Sequence, residues 1–406
     1  MRASYRVGLG ACLFVLVFSG LSRAQLAVRA ELLYTMAGPP IRGGVVLIRD
    51  GRIERVGPAT SVRIPSGYRV LEAKVVTPGL IDARTVVGLS GIYNVPHDQM
   101  QLERSAPIQP ELRAIDAYNP EEALVEWVRN LGVTTLHTGH GPGALISGQT
   151  MIVKSAGRTV EEALVDSVAA VAATLGRSVG QNFSSPGTRA KAVAMLRAEL
   201  LKAQEYGRKR RDPDPSKRPA RDLRLEVLAD VLEGKIPLLI TAQTAPDILA
   251  ALRLQREFGF KLVLDGAAEA YLVLEEIKQA GVPVILHPTM VRTAGETRNA
   301  SMETAALLHR AGIPFALQSG YESYVPKTRV VLFEAAVAAA HGLPFEAALG
   351  AITIQAARIL GIDRRVGSLE PGKDADMVLF DGDPFEYTTR VCGVIINGRL
   401  LTEGCR

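Results

Sequence analysis

The sequence predicts an α/β fold: a (β/α)8 barrel over residues 77–362, inserted in a small composite β-sandwich domain built from residues 25–76 and 363–406. Three observations predict it. From about Thr77 onward, short apolar strands alternate with amphipathic helices, which is the texture of a parallel sheet with crossover helices. Short strands separated by turns occupy both flanks of that region, so the two ends are expected to pair with each other. The chain has 406 residues, 47% of them apolar, enough for one large barrel with an attached module and a sizeable core.

The first residues stand apart from that fold. Arg2 and Arg6 precede an apolar run over residues 7–21, and Ser22 and Ala24 supply small side chains before Gln25. This is the form of a cleaved secretory signal, with a retained N-terminal anchor as the alternative. The expected location is therefore outside the cytoplasm, periplasmic or secreted. Without Arg2, Arg6 and Arg23 the formal charge of +5 falls to +2. So small a charge on so large a chain gives no electrostatic case for nucleic acid, or for membrane beyond the signal segment.

Residues 27–34, 44–48 and 52–56 read as strands, punctuated by Asp50-Gly51 and Gly57-Pro58. Within the barrel region, residues 132–136, 237–240, 261–264 and 282–286 read as strands. Residues 246–258 and 270–280 read as helices, each stopped by a glycine. The basic stretch at 207–211 reads as a solvated loop. Short strands return at 375–380, followed by a hairpin around Asn397-Gly398. Symmetry about that turn sets Cys392 opposite residue 403, two residues short of Cys405. A disulfide that pins this end and a pair of free thiols are both open readings.

Three segments carry a resemblance. Gly51-Arg-Ile-Glu-Arg-Val-Gly57, Val76-Thr-Pro-Gly-Leu-Ile-Asp82 and Gly367-Ser-Leu-Glu-Pro-Gly-Lys-Asp-Ala-Asp-Met-Val-Leu379 resemble the framing motifs of the amidohydrolase superfamily, nearest its imidazolonepropionase-like and prolidase-like branch. The resemblance implies a TIM-type barrel and a hydrolase of carbon–nitrogen, non-peptide bonds. It also implies one or two divalent metals at the C-terminal mouth. Their ligands would be a His-x-His pair on strand 1, a carboxylated lysine on strand 4, histidines ending strands 5 and 6, and an aspartate ending strand 8.

Those positions hold other residues here. Arg84 and Val86 stand for the His-x-His pair, Thr241 and Gly266 for the later histidines, and Gly320 for the aspartate. A looser alignment sets Ala172 at the lysine. A guanidinium has no lone pair to give, and valine, alanine and glycine side chains have no donor. The expectation is a barrel without the inherited metal site and with no cofactor, acting as a pseudoenzyme or small-molecule-binding barrel.

The alternative is an active hydrolase using relocated zinc, or an anion pocket, around His137, His140 and His287, helped by Asp265 or Gln243. These residues and Gln318 make up the candidate pocket with Arg84. The glycine-rich run 139–149 beside Arg84 suits an anion, so a small carboxylate-bearing ligand is the expected partner. Arg84 paired to an internal acid is the competing reading. Self-association stays open, as does a structural role.

Overall fold

The computed structural model describes residues 25–322 and 329–405, so the signal-like segment lies outside the described residues. Among them, no helix is long and apolar enough to cross a membrane.

Strands β1 (Leu26–Leu33), β2 (Ile41–Arg49), β3 (Arg52–Pro58) and β4 (Arg69–Pro78) open the chain. β1 lies between β2, to which it is antiparallel, and β4, to which it is parallel. Alternate side chains feed two separate cores, as a two-residue period requires. Leu26, Val28, Val46 and Ile48 join one. Ala27, Val45 and Leu47 join the other with Val62 and Tyr68. The β2–β3 turn at Asp50-Gly51 has φ of 53° and 83°, the left-handed pair that hairpin turns favour.

The barrel follows as β5 (Leu80–Thr85), β6 (Val133–Gly139), β7 (Ile146–Lys154), β8 (Leu164–Thr174), β9 (Leu238–Ala242), β10 (Leu262–Gly266), β11 (Val284–Leu286) and β12 (Phe315–Ala316). They form one eight-stranded sheet, ordered consecutively. A parallel bridge from Thr85 to Gly320 closes it. The helices Ala245–Phe258 and Leu274–Ala280 end at Gly259 and Gly281 in the left-handed conformation, as the sequence predicts. The second begins later than predicted, after a 3-10 turn at Ala270–Leu272.

Two features depart from expectation. β7 runs antiparallel to both β6 and β8, so the barrel is not wholly parallel. The cause is loop length: residues 140–145 cannot hold a crossover, which takes about a dozen residues, so the chain must turn straight back. The basic stretch is also not a loop. The helix Arg189–Arg210 carries Arg208, Lys209 and Arg210 in its last turn, where positive charge suits the helix dipole. Arg208 pairs with Glu205 and Arg211 with Glu233.

Three strands complete the first sheet: β13 (Met377–Phe380), β14 (Val391–Ile396) and β15 (Arg399–Glu403). β13 lies antiparallel beside β4, so the two ends of the chain form a single seven-stranded sheet. Between that sheet and the barrel sits a buried ion cluster. Lys154, at the end of β7, contacts Asp374 at 3.3 Å and also Asp376.

Cys392 and Cys405 are joined by a disulfide. A bulge in the β14–β15 ladder pairs Gly393 with Glu403, one residue away from the symmetric register, and brings Cys405 within reach. Reduction is expected to cost about 3 kcal/mol by the loop-entropy estimate. A thermal melt with and without dithiothreitol would read this; coincident melts would count against it.

The barrel mouth as candidate functional site

Asp82 and Arg84 are alternate residues of β5 and share one side of it. The carboxylate of Asp82 accepts hydrogen bonds from the backbone N–H of Ser319 at 3.0 Å and from its hydroxyl. Burial pushes this acid up to about 6 even so. Arg84 is fully buried. Its Nη2 donates to the carbonyl of His140, while Nε and Nη1 have no hydrogen-bond partner among the described residues. Burial lowers the guanidinium's pKa; the nearby Asp265, Tyr321 and Asp82 oppose that shift, in that order. Internal acids therefore do compensate Arg84, but through space, not through a bonded pair.

Asp265, at the end of β10, accepts from Thr241 Oγ1 and, at 2.7 Å, from Gln318 Nε2. Gln318 Oε1 has no partner among the described residues. Gln243 Nε2 donates to the Tyr321 hydroxyl at 3.0 Å, and its Oε1 accepts from the Ala268 N–H. Gln243 also explains Gly266. A Cβ at 266 would fall 2.5 Å from Gln243 Nε2, and φ there is +77°. A side chain at 266 is thus excluded by both space and backbone.

The three histidines differ. His137 is saturated: Ala83's carbonyl receives its Nδ1–H at 2.7 Å, leaving Nε2 to accept from the Thr150 hydroxyl at 2.7 Å. Burial, then Arg84, pushes it down to about 3. The same two causes lower His140 to about 4, and neither of its ring nitrogens is bonded among the described residues. His287 donates from Nδ1 to the Pro288 carbonyl at 2.6 Å, keeps Nε2 unbonded among those residues, and is lowered to about 4 mainly by burial. All three are neutral near pH 7. Arg84, His140, Gln243, Asp265 and Gln318 form one buried neighbourhood. His137 is locked between β5 and β7, and His287 sits nearer Arg329.

The glycine-rich run is closed to an anion in part. Three of its amides are already spent on protein acceptors: Gly141 donates to the Gln101 carbonyl at 2.6 Å, Gly143 to Thr174 Oγ1 at 3.0 Å, and Gln149 to the Leu112 carbonyl at 2.7 Å. Residues 146–149 belong to β7 itself. The segment after β5 lies along this strand and covers that side of the mouth, although its His97 is exposed and takes no part.

A divalent cation does not fit this mouth. Arg84 places a positive charge there, the hydroxyl of Thr241 is spent on Asp265, and Val86, Ala172, Gly266 and Gly320 carry no donor. Among the described residues, the one convergence of three His, Cys, Asp or Glu ligand atoms is Asp381 with the Cys392–Cys405 pair, whose sulfurs are joined to each other.

Sequence reasoning missed Glu334. It lies in the helix Val331–Ala340 and is fully buried. Its Oε2 accepts from the Met290 N–H at 2.9 Å, and Oε1 has no partner among the described residues. Burial raises it to about 7. The signal was available: it is the single charge in a ten-residue helix otherwise apolar on every side.

Comparison with known proteins agrees with this architecture. The amidohydrolase family profile matches residues 247–401. The amidohydrolase tasK of Hapsidospora irregularis is 25% identical over 87% of this chain, which spans only 39% of that relative's length. An imidazolonepropionase of Rhizobium rhizogenes is 25% identical over 90% of this chain and 94% of its own. An amidohydrolase structure from Thermotoga maritima superposes with a TM-score of 0.87 at 29% identity, covering 93% of this chain and all of the other. With the framing motifs and the closed barrel, these likenesses support assignment of the chain to the amidohydrolase superfamily.

Proposed function

We propose that this is an exported amidohydrolase-fold protein that has given up the metal-hydrolase chemistry of its superfamily and uses the barrel mouth to hold a small carboxylate. The observation that carries this reading is Arg84. A guanidinium that is fully buried, with Nε and Nη1 unbonded among the described residues, is costly unless an acceptor complements it, and a carboxylate matches its planar fork. The unbonded neutral His140 and Gln318 Oε1 offer further polar contacts. Hydrolysis in this superfamily rests on metal ligands that this mouth does not supply. Export is supported by the signal-like residues 1–24 and by the disulfide, which suits an oxidising compartment.

Thermal-shift titration with acetate, propionate and succinate tests the reading. Wild-type protein is expected to show a saturable rise in Tm that Arg84→Met abolishes. The metal side is checked by elemental analysis after zinc incubation and dialysis. A shift that survives Arg84→Met, or zinc retained at one equivalent, would overturn the proposal.

A further inference from the structure

The opposite end of the barrel holds a cavity of about 610 Å³. It opens where β9, β10 and β11 begin, at Pro237, Leu262 and Pro283, so it lies on the N-terminal face, away from the mouth. Barrels of this kind normally fill that layer with bulky branched side chains. Here β8 contributes Ala169 and Ala170 to the wall, and the space remains. Leu239, Val263 and Ile285 line it from the barrel interior. Ile359 and Leu360 close it from the helix Ile354–Ile359 and its end. His137 marks the inner end, neutral and bonded through both ring nitrogens, so the depth offers no free polar group.

The rim carries both acidic and basic residues. Lys235 is held by Asp230 and Glu233, each at 2.8 Å, and Asp166 accepts from the Val168 N–H. Lys261 and Arg358 also border the cavity and are exposed. Neither side chain makes a hydrogen bond or close ion pair among the described residues, and Glu370 acts on Arg358 only through space. An apolar shaft under two such exposed cations is complementary to a molecule with an apolar body and one terminal anion. Burial of the chain supplies affinity, and the rim selects the charge.

The geometry points to a second ligand site on the N-terminal face of the barrel, for a medium-chain aliphatic monocarboxylate whose tail fills the shaft and whose carboxylate meets Lys261 and Arg358. It is independent of the mouth around Arg84.

Titration calorimetry of the whole protein with decanoate, kept below its micellar range, tests this. Decanol separates tail from charge, and acetate separates charge from tail. Decanoate is expected to bind saturably at one per chain, decanol at least tenfold more weakly, and acetate not at this site. The double variant Lys261→Gln/Arg358→Gln changes only exposed side chains and should weaken decanoate at least tenfold. Ala170→Leu should abolish binding by filling the shaft; Val263→Phe replaces it if that variant does not fold. Arg84→Met should leave decanoate binding unchanged, which separates this site from the mouth. Absence of saturable binding, or affinity indifferent to both the rim and the shaft variants, would overturn the proposal.

Discussion

Replacing Lys154 with methionine is expected to remove about 3–5 kcal/mol of stability, read as a lower urea midpoint with an unchanged slope. Lys154 is 2% exposed and meets two carboxylates that are themselves buried. The loss falls unequally on them. Asp374 keeps Arg52 at 3.1 Å and Arg365 at 3.0 Å. Among the described residues Asp376 keeps only the Asn397 N–H at 2.8 Å and is left as a buried charge without a cation. The double variant Lys154→Met/Asp376→Asn should therefore recover more than half of the loss, because the uncompensated charge is gone. A cost below about 1 kcal/mol for the single variant would show that the cluster is not the clamp its burial implies.

The second large effect concerns pH. Glu334 rises from 4.5 to about 7 through burial. A carboxyl with a raised folded value binds its proton more tightly in the native state. Its contribution is complete below about pH 4.5 and is lost as pH rises through 7. The full difference amounts to about 3 kcal/mol. Asp82, raised to about 6, acts in the same direction over a lower window. His137, His140 and His287 act oppositely: they stay neutral when folded, so their contribution is present above about 6.5 and lost as pH falls toward 4. These opposing sets make the wild-type profile alone uninformative. Glu334→Gln isolates one group. Its amide oxygen can keep the Met290 N–H, so wild type and variant should be close at pH 5. By pH 8 the variant should be the more stable by about 2–3 kcal/mol in urea melts. Parallel profiles would show that Glu334 ionises freely in the fold.

Much of the fold was legible because it rests on local chemistry. Gly259, Gly281, Asp50-Gly51 and Asn397-Gly398 are positions where the chain needs left-handed backbone, and glycine or a turn residue announces that. The direction of β7 was not legible. All nine of its residues are buried, so no alternation marks it, and Gly148 within it reads as loop. At the mouth, Arg84 was found because a motif leads to it. Its compensating acid Asp265 lies some 180 residues away in sequence, and nothing local announces such a partner. Glu334 belongs to no motif, and its one sequence signal is that it is a lone charge in an apolar helix.

The pairing of β4 with β13 has a kinetic consequence. Val76 lies opposite Leu379, so this sheet cannot be completed until the barrel segment and β13 after it have been made. Until then β4 presents one open edge, with β1 already able to occupy the other. A nascent or C-terminally shortened chain therefore carries a bare, β-branched strand edge that invites pairing with other molecules. Closure of the sheet is a late, long-range event, and the barrel must form while its neighbour is still half built.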